Sequence, residues 1–270
     1  MKTPLRTYGP DMEEGKIPKL WWRGGFKGLG FLILDGFKEL GFLIGVYLAY
    51  SLTRGNLGDK TSLAFDNADD IILLEEGWGI FVELEVQSFF MEHEPLIRLA
   101  NGVYTFAYYP LLALVGLWLY LLHHDIYPRI RNTFLATAAI GLLGFTLYPL
   151  APPRFIPGFV DTLEQSSSLN YSLPVVQAFY NPYAAMPSIH FAWTFLAGMS
   201  LAFIAKSWWV KPLGMLWPAA ILISTVATAN HFFLDIAGGA LAVGLGYGFV
   251  LLLPRAYNNL KLSLVGIRQK

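Results

Sequence analysis

Cysteine is absent from the 270 residues. That excludes disulfides, thiolate zinc sites, iron–sulfur clusters and a cysteine nucleophile, and leaves no redox marker of compartment. Charge is scarce as well: Asp, Glu, Lys and Arg together make up 14% of the chain, against about 25% in a soluble domain. The two signs balance at 19 each, so no basic surplus points to nucleic acid as a partner. The N-terminal stretch through Gly25 is polar and lacks the apolar centre of a cleavable signal peptide. Internal repeats and low-complexity tracts are lacking too.

What fills the chain is apolar: 55% of residues are hydrophobic and 16% aromatic. The apolar residues gather into runs near 37–53, 103–122, 133–150, 189–206, 213–229 and 236–253, each near the roughly 20 residues that cross a bilayer as a helix. The expected fold is therefore all-α, a polytopic bundle of six transmembrane helices. The first run, starting near Phe37, reads as a retained signal anchor; it is the weakest, because Asp35, Lys38 and Glu39 crowd its start. This divides the chain into an N-terminal segment 1–36, a membrane domain 37–253 and a tail 254–270. Within the membrane domain, 66–95 alternates carboxylates with Trp78, Phe81, Phe89 and Phe90 and reads as an interfacial helix or hairpin. Segment 151–188 is a proline-rich outer loop.

Basic residues set the orientation. With the N-terminus inside, fourteen of the nineteen fall on the inner side, counting Lys206 at an inner helix end; Lys38 lies at the inner end of the first run, and Arg54, Lys60, Arg98 and Arg154 fall outside. An even number of spans then puts both termini in the cytoplasm. The protein is expected in the cell membrane.

The same topology brings distant polar residues to one outer edge, where ionisable groups in a membrane protein are functional candidates. In AAMPSIHFAWTFLAG, Pro187 suits the first turn of a helix. Ser188 and the free N–H groups there form an anion site, with His190 one step inside. Read blandly, the same residues are a helix cap with an interfacial histidine. In ANHFFLDIAGG, His231 and Asp235 are four residues apart and share a face if the segment is helical. A carboxylate on one ring nitrogen fixes the tautomer and frees the other, as a nucleophile or base requires; a merely structural pair would look alike in sequence. In YPLAPPRFIPG, Arg154 is the sole basic residue of the 151–188 loop and offers a planar fork for phosphate oxygens, or else snorkels at the interface.

Two histidines and a carboxylate also form a common zinc set, but the Pro-Ser helix start favours an anion. The acidic residues Asp66, Asp69, Asp70, Glu75, Glu76, Glu83 and Glu85 could meet a divalent cation; a solvated or headgroup-facing helix is the simpler reading. Ser188 lacks a Gly-x-Ser-x-Gly elbow. His93, His123 and His124 read as surface or interfacial. Gly238, Gly239, Gly244 and Gly248 on the last span read as close helix packing. Asp161, Asn181 and Tyr183 are weaker candidates for shaping an acceptor site.

Pro-Ser-Ile-His together with His-Phe-Phe-Leu-Asp, each at the outer edge of a six-span bundle, resembles the phosphatidic acid phosphatase type 2 superfamily, which reads Pro-Ser-x-His and His-x-x-x-Asp. The wording YPLAPPRF, AAMPSIH and ATANHFFLDIAGG is most similar to its inositolphosphotransferase branch, related to inositol phosphorylceramide synthases. The likeness covers about Tyr148–Gly239, with the span layout extending it to about 100–253. Two departures stand out. The family's Lys-x6-Arg-Pro motif is missing: Leu147 stands seven residues before Arg154, and Phe155 follows it. Thr225 and Val226 occupy the place where the third motif often reads Ser-Arg. The inositolphosphotransferase branch shares these departures.

The resemblance implies that His231 attacks phosphorus, Asp235 orients it, and His190 protonates the leaving oxygen. It implies that Arg154 and Ser188 bind the phosphate of a phospholipid or lipid phosphate, with water, a lipid or a polyol as acceptor. No metal and no cofactor enter this scheme. The alternative is a lipid-binding or lipid-transport membrane protein in which these residues only hold a headgroup. The motifs specify a reaction class rather than a particular donor, acceptor or oligomeric state.

Overall fold

A computed structural model describes residues 25–55, 60–163 and 181–267. The chain divides into two units, Met1–Ala49 and Tyr50–Lys270. Helix α1, Gly25–Gly55, runs through the division. It is followed by α2 (Thr61–Gly77), α3 (Glu83–Glu92), α4 (Glu94–Gly102), α5 (Tyr108–Leu122), α6 (Tyr127–Leu147), α7 (Ile189–Ile204), α8 (Val210–Ala227) and α9 (Phe233–Ile267). A π-helical turn, Val103–Ala107, joins α4 to α5, and a 3-10 turn covers Pro153–Phe155. Among the described residues there is no strand, only a parallel bridge between Leu150 and Ala184.

Among the described residues, four helical segments are long and apolar enough to cross a membrane: Glu94–Leu122, Tyr127–Leu147, Val210–Ala227 and Phe233–Leu253; the apolar α7 is shorter. These five match the expected runs from the second to the sixth. The second starts earlier than the apolar run alone indicates, because α4 and the π turn extend α5 backwards. The run at 37–53 lies inside α1, which is not among the four; Asp35, Lys38 and Glu39 interrupt its apolar character. The last helix continues past 253 to Ile267, so the expected tail is helical through that residue. The acidic stretch is helical but not one continuous helix. It folds as α2 and α3, parted by a turn at Gly79 with φ +69°, a backbone state glycine adopts without strain.

Packing of the second unit is inside-out relative to a soluble protein. Leu114, Leu147, Leu241 and Leu245 are exposed, as lipid-facing positions require. Thr133, Thr194, Ser200 and Thr228 are buried, and each hydroxyl donates to the carbonyl four residues before it. With lipid outside, association rests on close backbone approach. A Cβ on Gly198 would lie 2.2 Å from the Gly214 carbonyl oxygen, and one on Gly239 2.4 Å from that of Ser188. These glycines fix α7 against α8 and α9. Gly246 faces Thr137 of α6, whereas Gly244 and Gly248 meet nothing within 4 Å. The packing role expected of the last helix's glycines thus falls on Gly239 and Gly246.

Candidate active site

The start of α7 supplies the first wall. Ser188 is its N-cap: the hydroxyl accepts from the Phe191 N–H at 3.4 Å, and the Ser188 N–H donates to the Asp235 carbonyl at 2.8 Å. Because Ser188 takes the cap, Pro187 stands outside the helix rather than in its first turn. His190 follows in the first turn. Its ring stacks on Tyr104 of the π turn, with centroids 4.7 Å apart, and tilts against Tyr108 of α5 at 4.5 Å. Neither tyrosine carries a sequence signal, since their contact depends on how α5 meets α7.

The turn from α8 into α9 supplies the second wall. Ala229 has φ +53°, a left-handed conformation that costs a residue with a Cβ about 1–2 kcal/mol. Its carbonyl accepts the Arg154 N–H at 2.8 Å. The chain then presents His231 and enters α9 at Phe233. His231 therefore sits in the turn before the helix, and Asp235 in its first turn, rather than both on one helical face. They still meet: His231 Nδ1 lies 3.1 Å from Asp235 Oδ2, both groups buried. The His190 and His231 ring centroids are 6.4 Å apart. Burial, then the positive charges of Arg154 and Arg54, push the His231 imidazole down to about 3, outweighing a hydrogen bond to the Ala185 backbone. The ring is neutral at pH 7, as a nucleophile must be.

Arg154 closes the third side from the 3-10 turn. Its guanidinium donates to the Asn230 side-chain carbonyl, and its Nε lies 3.4 Å from Asp161 Oδ2. The fork packs over Phe155 at 4.8 Å. Its backbone and side chain are thus tied to the loop that carries His231. The structure brings His231, Asp235, His190, Ser188 and Arg154 into one cluster.

Two acidic residues expected to be solvated are instead at the centre of the packing. Glu75 and Glu83 are fully buried. Glu83 Oε1 accepts the Phe233 N–H at 2.9 Å, and Glu75 Oε1 accepts the Leu234 N–H at 2.7 Å. They satisfy the free donors at the N-terminus of α9, where negative charge is favoured. Their second oxygens are buried and meet no N–H donor among the described residues. Burial first, then the hydrogen bond to Glu83, pushes Glu75 up to about 9. Among the described residues, no group of three or more His, Asp or Glu side chains could hold a metal ion.

Of the remaining candidates, Asp161 pairs with Arg154, and Asn181 accepts the Tyr183 N–H and donates to the Arg54 carbonyl. Tyr183 packs edge-on to Phe65 and Phe155. The rest of that expected loop, 164–180, lies outside the described residues. His93 is exposed. His123 and His124 follow the far end of α5 from Tyr108, away from the cluster.

The chain matches a family model described as PAP2 superfamily over residues 69–249. It is also 26% identical over 180 residues to a phosphoinositol dihydroceramide synthase of Bacteroides thetaiotaomicron, covering 60% of this chain and 58% of that protein. The chain thus spans well under two thirds of that relative's length. No solved structure matches it.

Proposed function

The chain belongs to the PAP2 superfamily, and on that premise we propose that it is a membrane lipid phosphatase or phospho-headgroup transferase working through a histidine nucleophile. The observation that carries this reading is the buried pair His231–Asp235 facing His190. Asp235 accepts the Nδ1 proton, which leaves Nε2 with its lone pair. Nε2 attacks phosphorus; the N–P bond forms as the bond to the departing oxygen breaks. His190 delivers a proton to that oxygen. In the second half, His190 takes the proton of an incoming hydroxyl, whose oxygen displaces His231 from phosphorus. The two ring centroids are 6.4 Å apart, close enough for both imidazoles to serve one phosphoryl group. Arg154 and the α7 N–H groups stabilise charge on the non-bridging oxygens. Ser188 serves through its cap, and its hydroxyl hydrogen stays available to a phosphate oxygen.

The full arrangement we infer has six spans and both termini inside, an orientation the distribution of basic residues supports, with the site facing the non-cytoplasmic side of the cell membrane. The likeness to a phosphoinositol dihydroceramide synthase favours a hydroxyl acceptor on a lipid or polyol over water.

The test is a product analysis in detergent. Phospholipids and isoprenoid phosphates are supplied with and without inositol, glycerol and diacylglycerol, and His231→Asn is run in parallel. Free phosphate lost in the variant marks a phosphatase, and a new headgroup lipid without free phosphate marks a transferase. Equal lipid flux by wild type and variant reconstituted in vesicles, with no product from either, would identify a carrier and refute the enzymatic reading.

A further inference from the structure

We propose that Arg54, at the end of α1, is a second phosphate-binding guanidinium of this site, contributed from outside the stretch that matches the family model. The inference rests on the functional reading above and deepens it.

The need comes from the sequence. Leu147 stands seven residues before Arg154, where the superfamily motif has a lysine, so Arg154 is left to meet the phosphate. Its guanidinium is already engaged by Asn230 and Asp161, and the Asp161 carboxylate offsets part of its charge.

The placement comes from packing. Tyr50 of α1 lies 5.9 Å, ring to ring, from Trp193 of α7. Arg54 is one turn beyond Tyr50, and His190 is one turn before Trp193. The Arg54 guanidinium lies over the Phe145 ring of α6 at 5.6 Å. Beside Phe145, a Cβ on Gly144 would sit 2.4 Å from Pro187, and one on Gly141 would sit 2.5 Å from Ile189. That wall of α6 therefore touches the residues on both sides of Ser188 and leads to His190. The Arg54 charge acts on both His190 and His231.

The side chain's own state separates this reading from a bland one. An arginine that snorkels to a headgroup layer keeps its N–H groups in water. Arg54 Nε is buried and, among the described residues, has no hydrogen-bond partner. A buried donor left unpaired is costly. A phosphate oxygen, accepting from the planar fork, removes that cost.

The experiment measures orthovanadate binding by titration calorimetry of the full-length protein in detergent, so it does not depend on turnover. Wild type is compared with Arg54→Gln, Arg54→Lys, Arg154→Gln and Arg98→Gln. The last alters an exposed pair with Glu94 and serves as the neutral control. Melting midpoints report folding. The expected result is a Kd raised about tenfold or more in Arg54→Gln, which corresponds to about 1.4 kcal/mol. A smaller rise is expected in Arg54→Lys, which keeps the charge but loses the fork. Should Arg54→Gln fail to fold, Arg54→Lys decides, and binding equal to wild type overturns the proposal. Wild-type binding in Arg54→Gln alongside weakened binding in Arg154→Gln overturns the role of Arg54 and leaves the phosphate site standing. No binding by the wild type overturns both.

Discussion

The carboxyl group of Glu75 accepts the backbone N–H of Leu234 at 2.7 Å across 159 residues of sequence, one residue before the aspartate that holds His231. With Glu83 on Phe233, it fixes the first turn of α9 from α2 and α3. The two acidic helices therefore position the candidate nucleophile without touching it.

This clamp makes stability depend on pH. Glu75 sits near 9 in the folded chain, against an ordinary value of 4.5. Between those values the folded state holds a proton that the unfolded state has lost. Stability therefore falls as pH rises from about 4.5 toward 9. Glu75→Gln reproduces the protonated group, keeps an acceptor for Leu234, and is expected to flatten the fall of the melting midpoint across that range. Glu75→Ala leaves the Leu234 N–H without its acceptor and is expected to cost about 1–3 kcal/mol. Denaturation followed by circular dichroism at several pH values checks both.

Asp235→Asn keeps the side chain's shape but no longer fixes the Nδ1–H tautomer of His231. Loss of the orienting carboxylate in a comparable triad lowers kcat by about 10⁴. A fall in kcat of about 10²–10⁴, with KM little changed, is expected in steady-state assays.

Tyr108 lies against the His190 ring at 4.5 Å and is itself buried. Tyr108→Leu removes the aromatic wall without opening the largest cavity. It is expected to reduce kcat more than lipid binding, because it frees the ring proposed to transfer the proton. Single-turnover kinetics beside a vesicle-binding assay separates the two effects.

Gly239→Ala places a methyl group 2.4 Å from the Ser188 carbonyl oxygen, a backbone atom that cannot rotate aside. Strain of this kind costs about 1–3 kcal/mol, and here it parts the start of α7, which carries His190, from the start of α9, which carries Asp235. A lower melting midpoint together with reduced activity is expected. Gly244→Ala, in open space on the same helix, is expected to leave both unchanged.

The sequence announces residues whose chemistry needs a side-chain type at a set spacing. His231 with Asp235, Pro187-Ser188 with His190, and Arg154 after its prolines are legible for that reason, and hydropathy reveals the helices from α5 onward. Glu75 and Glu83 are not legible, because their partners are backbone N–H groups that nearly every residue carries, and their neighbours Asp69, Asp70 and Glu76 make the stretch look solvated. Tyr104 and Tyr108 reach His190 only through the packing of two helices far apart in sequence. Helix α1 is long, yet its charges near Asp35 dilute the apolar pattern by which a span is recognised.

The most direct test of the account is to trap the covalent intermediate. Protein mixed with a turned-over lipid phosphate and quenched at alkaline pH, where phosphohistidine survives acid-sensitive handling, is digested and mapped by mass spectrometry. The account predicts a phosphoryl group on His231 in the wild type, more of it in His190→Ala when a good leaving group bypasses proton donation, and none in His231→Asn. Turnover by His231→Asn at a rate near wild type, or a phosphoryl group found on another residue, would contradict it.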